Sequence, residues 1–295
     1  MIYTGSGVAM VTPFVENTGD IDWEAFDNLI EFHIENKTDA LIICGTTGES
    51  ATMTDEEQVQ VIKRAVKVVD GRIPVIGGAG VNDTRHSIHL AEEVEEVGAD
   101  GLLVVTPYYN KANEEGLKRH FLVIADSVNT PIILYNVPGR TGMTIKPKLV
   151  QELAEHPNIV ALKDAVGDIE YTKDVLRLVP DDFAVYSGND DLTHEVIKAG
   201  GHGTISVTAN VIPQEVHEMC KLTLEGNYAD GAKLDLKWAN LTDLCFVEVN
   251  PIPVKYLVHK LGRCANSYRL PLCEPSEAAQ KQLDELLPSI SKYKA

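Results

Sequence analysis

Basic residues are scarce in this 295-residue chain, where 26 Lys and Arg face 44 Asp and Glu for a formal charge of -18. A nucleic-acid binder needs a basic face to release phosphate counterions, so the deficit excludes that class. It argues equally against docking on an anionic membrane surface. Long apolar runs are also missing, and none approaches the ~20 residues that a transmembrane helix requires. No Lys or Arg precedes Lys37, so neither a secretory n-region nor an Arg-rich transit peptide is signalled, and a cytoplasmic protein is expected. Five cysteines, Cys44, Cys220, Cys245, Cys264 and Cys273, form an odd set without a CxxC pair. They signal neither a disulfide framework nor a zinc ribbon, and reduced, mostly buried thiols are expected. Cys44 lies inside an apolar run, which favours core over nucleophile.

What the chain has instead is repetition. Short apolar runs at Val8–Val11, Ala40–Cys44, Val75–Gly78, Leu102–Val105, Ile132–Tyr135, Ile159–Lys163, Ala184–Ser187 and Thr204–Val207 alternate with amphipathic stretches. Rich in Val and Ile and flanked by Gly, Pro or Asp, they read as buried parallel strands. Between them, Trp23, Phe26, Leu29, Ile30 and Ile34 recur at helical spacing. A second stripe, Val59, Ile62, Val66 and Val69, follows a Thr54–Glu57 capping box, and Ile88, Ala91, Val94 and Val97 make a third. Eight such units in about 225 residues predict an α/β fold, a closed (β/α)8 TIM barrel over residues 1–225. A doubly wound open sheet competes but usually has fewer strands. From about Pro213 the strand signals stop, and Val216–Leu224, Ala229–Phe246, Val254–Leu261 and Ser276–Leu287 read as helices. The first closes the barrel, and residues 226–295 are expected to form a C-terminal helical extension.

Active sites of such barrels lie on the loops at the C-terminal ends of the strands. Lys163 stands out there. The period of two along Ile159–Lys163 puts Ile159, Ala161 and Lys163 on one face, predicting an amine at the barrel mouth. A lysine at a strand end is ordinarily a solvated charge, but one withdrawn from water favours the free amine, which attacks ketones to form a Schiff base. Tyr135 ends the preceding strand and could exchange a proton during that chemistry. Gly45–Ser50 gathers two glycines with Thr46 and Thr47, backbone and hydroxyl donors suited to a small carboxylate. It is no Walker loop, because no Gly-Lys-Ser/Thr follows. Arg140, after a Pro-Gly turn, could fork a second carboxylate. His86-x-x-His89 lacks a third ligand, His194-Glu195 lacks the second histidine of a zinc-protease helix, and Gly78-Ala79-Gly80 has Asp83 where a dinucleotide loop has its third glycine. No metal is therefore expected.

With these segments in place the sequence resembles the dihydrodipicolinate synthase family, in the class I aldolase superfamily that includes N-acetylneuraminate lyase. The resemblance spans essentially the whole chain. It runs from Gly7–Pro13 through Gly45–Ser50, Thr106–Asn110 and Tyr135–Gly142 to Gly200–Gly203, Ile205–Asn210 and Asn250–Lys255. It implies an aldol-type condensation of pyruvate with L-aspartate 4-semialdehyde, committing carbon to diaminopimelate and lysine. Lys163 matches the Schiff-base lysine, Tyr135 the central proton-transfer residue, and Thr46 and Tyr109 its relay partners, with Tyr109 supplied across a subunit interface. Thr47 and the backbone at Ile205 match the pyruvate-carboxylate contacts, and Arg140 the receiver of the semialdehyde carboxylate. No metal or organic cofactor is implied, since the protonated imine is the electron sink. A homotetramer, a dimer of dimers, is implied as the assembly.

Two departures stand out. The family often reads Lys-Glu-Ala-Ser/Thr-Gly where this chain has Lys163-Asp164-Ala165-Val166-Gly167. At the lysine-feedback site Asn82 and Tyr108 match, whereas His86 stands where many bacterial members have Glu and Gln58 where some have His. An acidic effector contact is lost at His86. Two rivals remain: another pyruvate-dependent aldolase on the same scaffold, and a non-catalytic barrel that senses a small acid.

Overall fold

Apolar runs of four to six residues are too short to span a helix core but long enough to pair side by side in a barrel wall. In the computed structural model, which describes residues 1–295, eight of them close a parallel barrel in sequence order. The strands are β1 (Gly5–Ala9), β2 (Ala40–Ile43), β3 (Val75–Gly78), β4 (Gly101–Val105), β5 (Ile132–Asn136), β6 (Ile159–Asp164), β7 (Ala184–Ser187) and β8 (Gly203–Ser206). Around them lie α1 (Trp23–Glu35), α2 (Asp55–Val69), α3 (Thr84–Glu96), α4 (Glu114–Ser127), α5 (Pro138–Thr141), α6 (Pro147–Leu153), α7 (Ile169–Leu178), α8 (Thr193–Lys198) and α9 (Pro213–Leu224). A helical C-terminal part follows: α10 (Tyr228–Leu244), α11 (Ile252–Lys260), α12 (Glu277–Asp284) and α13 (Leu287–Ile290). No helix is long and apolar enough to cross a membrane.

Alternation along each strand divides the core in two. Ile42, Ile76, Ile133, Ala161 and Tyr186 fill the barrel interior. Leu41, Leu134 and Leu162 face outward against helix residues such as Phe26, Ile62 and Phe121. Each fully buried side chain of this kind contributes roughly 1.5–3 kcal/mol before entropy is charged. The barrel floor is closed by Tyr3 stacked on Tyr186 at 4.4 Å, with the Tyr186 hydroxyl donating to the Tyr3 carbonyl at 2.6 Å. Local signals set the helix starts. The Thr54 side chain and Glu57 form the expected capping box of α2, and Ser276 caps α12.

Two expectations need correction. The first strand is Gly5–Ala9 rather than Val8–Val11. Its opening residues look like a flank because Gly5 must pass close to Gly203, where an added Cβ would lie 2.0 Å from the Gly5 carbonyl oxygen. Val11 has left the ladder, its N–H donating to Asn210 Oδ1. In β6, Ala161 and Lys163 do share the inner face, but Ile159 belongs to the outer layer. The β5–β6 register slips by one residue between Ile132 and Ile133, which turns Ile159 over.

Candidate active site

Past that slip, β5 and β6 pair in step, so that Tyr135 lies opposite Lys163 and both side chains enter the barrel mouth. Lys163 Nζ lies 4.2 Å from the centre of the Tyr135 ring. Both are buried, at 5% and 6% exposure. Room for the lysine stem comes from Gly188, where a Cβ would sit 3.1 Å from Lys163 Cε and 2.8 Å from Ala165 Cβ. Asp164, next in sequence, faces away from the mouth. It accepts from the Thr172 hydroxyl at 2.6 Å and the Val166 N–H, while burial pushes its carboxyl above the usual range.

The turn after β2 is held tightly. Cys44 and Glu49, at φ of 56° and 60°, bracket Gly45–Gly48 in the left-handed region that side chains disfavour. Gly48 is wedged so that a Cβ would lie 3.2 Å from both Cys44 N and the Met10 carbonyl oxygen. The Thr12 hydroxyl donates to the Gly48 carbonyl at 2.7 Å. Thr47 is buried and accepts from Asn250 Nδ2 at 3.0 Å, and the Asn250 carbonyl accepts from Arg140 Nη2 at 2.9 Å. Arg140 reaches this point from α5, whose Pro138 supplies a preformed first turn.

Thr46, Thr47, Tyr135, Arg140, Lys163 and Asn250 thus line one open pocket of about 790 Å³. Its β8 side is carried by Val207, whereas Ile205 is fully buried in the barrel interior. Asp190 holds that corner, accepting from the Ser206 hydroxyl and from the Val207 N–H at 2.9 Å, with burial pushing its carboxyl up. A primary amine and a phenol buried side by side, with hydroxyl donors near them and a guanidinium at the rim, suit attack on the ketone of a small keto acid.

The remaining candidates lie elsewhere. Tyr109 is 95% exposed, with φ at 73°, and does not line the pocket of its own chain. Asn82 and Tyr108 meet, Asn82 Nδ2 donating to the Tyr108 carbonyl at 3.1 Å. His86 is turned instead to Asp55, Nε2 to Oδ2 at 2.6 Å.

Sequence reasoning missed Asp190, and it quoted Asn250–Lys255 and the threonine turn without giving a role to Asn250 or to a buried pair at the back of that turn. There Lys255 Nζ meets Glu49 Oε1 at 2.5 Å, with neither side chain exposed to solvent. Burial pushes the Lys255 ammonium down from the ordinary lysine range, opposed by the Glu49 carboxylate. A signal was present: a lone lysine within Pro251–Val258, otherwise apolar, asks for a buried partner.

The sequence profile of the dihydrodipicolinate synthetase family matches residues 3–290. A curated relative, 4-hydroxy-tetrahydrodipicolinate synthase of Alkaliphilus oremlandii, is 49% identical over 97% of this chain and 98% of its own. Among solved structures, dihydrodipicolinate synthase from Aquifex aeolicus superposes with a TM-score of 0.96 at 44% identity, covering 98% of both chains. The chloride-inhibited dihydrodipicolinate synthase from Acinetobacter baumannii, complexed with pyruvate, gives 0.96 at 42% identity and covers 99% of each.

Proposed function

The chain belongs to the dihydrodipicolinate synthetase family, and from that premise we propose that it is a lyase condensing pyruvate with L-aspartate 4-semialdehyde to 4-hydroxy-tetrahydrodipicolinate, in the diaminopimelate route to lysine. One observation carries this reading to particular atoms: the buried Lys163 amine beside Tyr135 at the mouth of the barrel.

The Lys163 amine attacks the ketone carbon of pyruvate, and the carbinolamine loses water to leave a protonated imine. Tyr135 moves the protons of that step, relayed through Thr46. The protonated imine acidifies the methyl group, which gives up a proton to Tyr135. The resulting enamine carbon adds to the aldehyde, whose oxygen takes that proton to become a hydroxyl as the imine re-forms. The amino group of the bound semialdehyde then attacks the imine carbon, closing the ring and releasing Lys163. Two substrates give one cyclic product and one water. The imine is the electron sink, so the reaction calls for no cofactor. Thr47 and the backbone near Ile205 hold the pyruvate carboxylate, and Arg140 takes that of the semialdehyde.

The exposure of Tyr109 supports a second copy of the chain, in a homotetramer, completing the Tyr135–Thr46 relay. We place the enzyme in the cytoplasm. The His86–Asp55 pair supports weak or absent inhibition by lysine through Asn82, Tyr108 and His86.

Treatment with pyruvate and borohydride should add one reduced pyruvyl mass at Lys163. Lys163→Ala should lose both the adduct and nearly all turnover. An unmodified Lys163, or turnover of a sugar aldehyde in preference to aspartate semialdehyde, overturns the reading.

A further inference from the structure

The Gly45–Glu49 turn carries conformational cost at both ends, since Cys44 and Glu49 are left-handed without being glycine. Such a backbone persists only when its surroundings hold it, and the hold on Glu49 comes from the far end of the chain. Lys255 projects from α11 into contact with Glu49, its ammonium 4.1 Å from the Phe14 ring centre and 5.1 Å from that of Tyr268. The second Glu49 oxygen accepts from the Arg269 N–H at 3.4 Å. Arg269 adds its own tie, donating to the Thr52 carbonyl at 3.0 Å and pairing with Glu57 at 2.7 Å.

A buried ion pair is a poor way to gain stability, because desolvating two charges offsets most of their attraction. It is a good way to fix a geometry, because neither charge can move off its partner without losing that compensation. The fixed point here lies two residues from Thr47 and three from Thr46, and the Glu49 N–H donates to the Thr46 carbonyl at 3.1 Å. We propose that the buried Glu49–Lys255 pair is a positioning device, by which the C-terminal helices hold the strained turn so that Thr46 and Thr47 aim at a keto acid bound on Lys163. The inference rests on the proposed pyruvate chemistry. Neither residue lines the pocket.

Three variants test it: Glu49→Gln, Lys255→Met, and the two combined. Each single change leaves one buried charge unpaired and lowers the melting temperature, whereas the double variant buries no charge and recovers it. Every folded variant should show a pyruvate KM raised by about tenfold, the scale of one misaligned charge-assisted hydrogen bond. The semialdehyde KM should rise several-fold less, as Arg140 meets the turn only at second hand, through Asn250, and the borohydride adduct on Lys163 should still form at saturating pyruvate. A stable double variant with an unchanged pyruvate KM overturns the proposal, as does an equal rise in both KM values. Failure of all three to fold assigns the pair to the fold alone and overturns it too. Absence of the adduct in the unsubstituted protein sinks the pyruvate reading itself, a result separate from these.

Discussion

Arg140 and Tyr135 line the same pocket under opposite conditions. Arg140 stands at the rim, with one guanidinium nitrogen committed to the Asn250 carbonyl and the rest of the fork open to a ligand. Removing it in Arg140→Ala should raise the semialdehyde KM by roughly 10- to 100-fold, the value of a charge-assisted contact, with little change in the pyruvate KM. Steady-state kinetics with each substrate varied in turn decides it, and a larger effect on pyruvate refutes the assignment. Tyr135 is enclosed, so Tyr135→Phe keeps the ring packing and removes only the hydroxyl. Imine formation should slow by about 10²-fold or more, as for loss of a proton-transfer group, with only a modest fall in melting temperature. Stopped-flow rates equal to those of the parent would remove the phenol from the chemistry.

The elements were legible to different degrees, for physical reasons. β3 and β7 have the bounds expected for Val75–Gly78 and Ala184–Ser187, because unbroken apolar runs there coincide with the paired backbone. β1 did not, because a strand that opens on Gly5-Ser6-Gly7 carries its pairing in glycine backbone that no apolar pattern reports. The slip in β6 was invisible for a similar reason: Val160 is apolar whether it keeps the alternation or interrupts it. That Lys163, Tyr135 and Thr46 line one pocket was legible from sequence, because the fold gathers strand ends at the barrel mouth. Asn250 and Lys255 reach Thr47 and Glu49 across 203 and 206 residues, a distance over which no spacing rule operates. The seam between β8 and β1 offers a test of element-level reasoning. Gly203→Ala puts a methyl against the Gly5 carbonyl at a φ of 149°, so the barrel should fail to close. A loss of several kcal/mol, or insoluble protein, is expected, as for other backbone clashes in a packed core. Near-parental denaturation would show that the seam can yield.

Across the whole molecule, the acid limit of stability is set partly by imidazoles far from the pocket. Burial pushes His33 down to about 3 and His120 down to about 4, and each has an Nε2 buried without a partner. In the unfolded chain both bind protons below about pH 6.5. On these two imidazoles the unfolded state therefore holds more protons between that pH and about 4, and their contribution to stability falls as the pH is lowered, with the loss complete near the folded values. The His120→Gln variant should lose about one proton of this uptake, read as a shallower slope of unfolding free energy against pH. Identical slopes would mean that His120 is protonated inside the fold. The stacked Tyr3–Tyr186 floor bears on traffic rather than stability. It closes the barrel beneath the pocket, so on the proposed chemistry the keto acid reaches Lys163 from the mouth and has to enter before the semialdehyde occupies the rim. The product must depart by the way its second precursor came in, and excess semialdehyde at the threshold would obstruct both arrivals and departures.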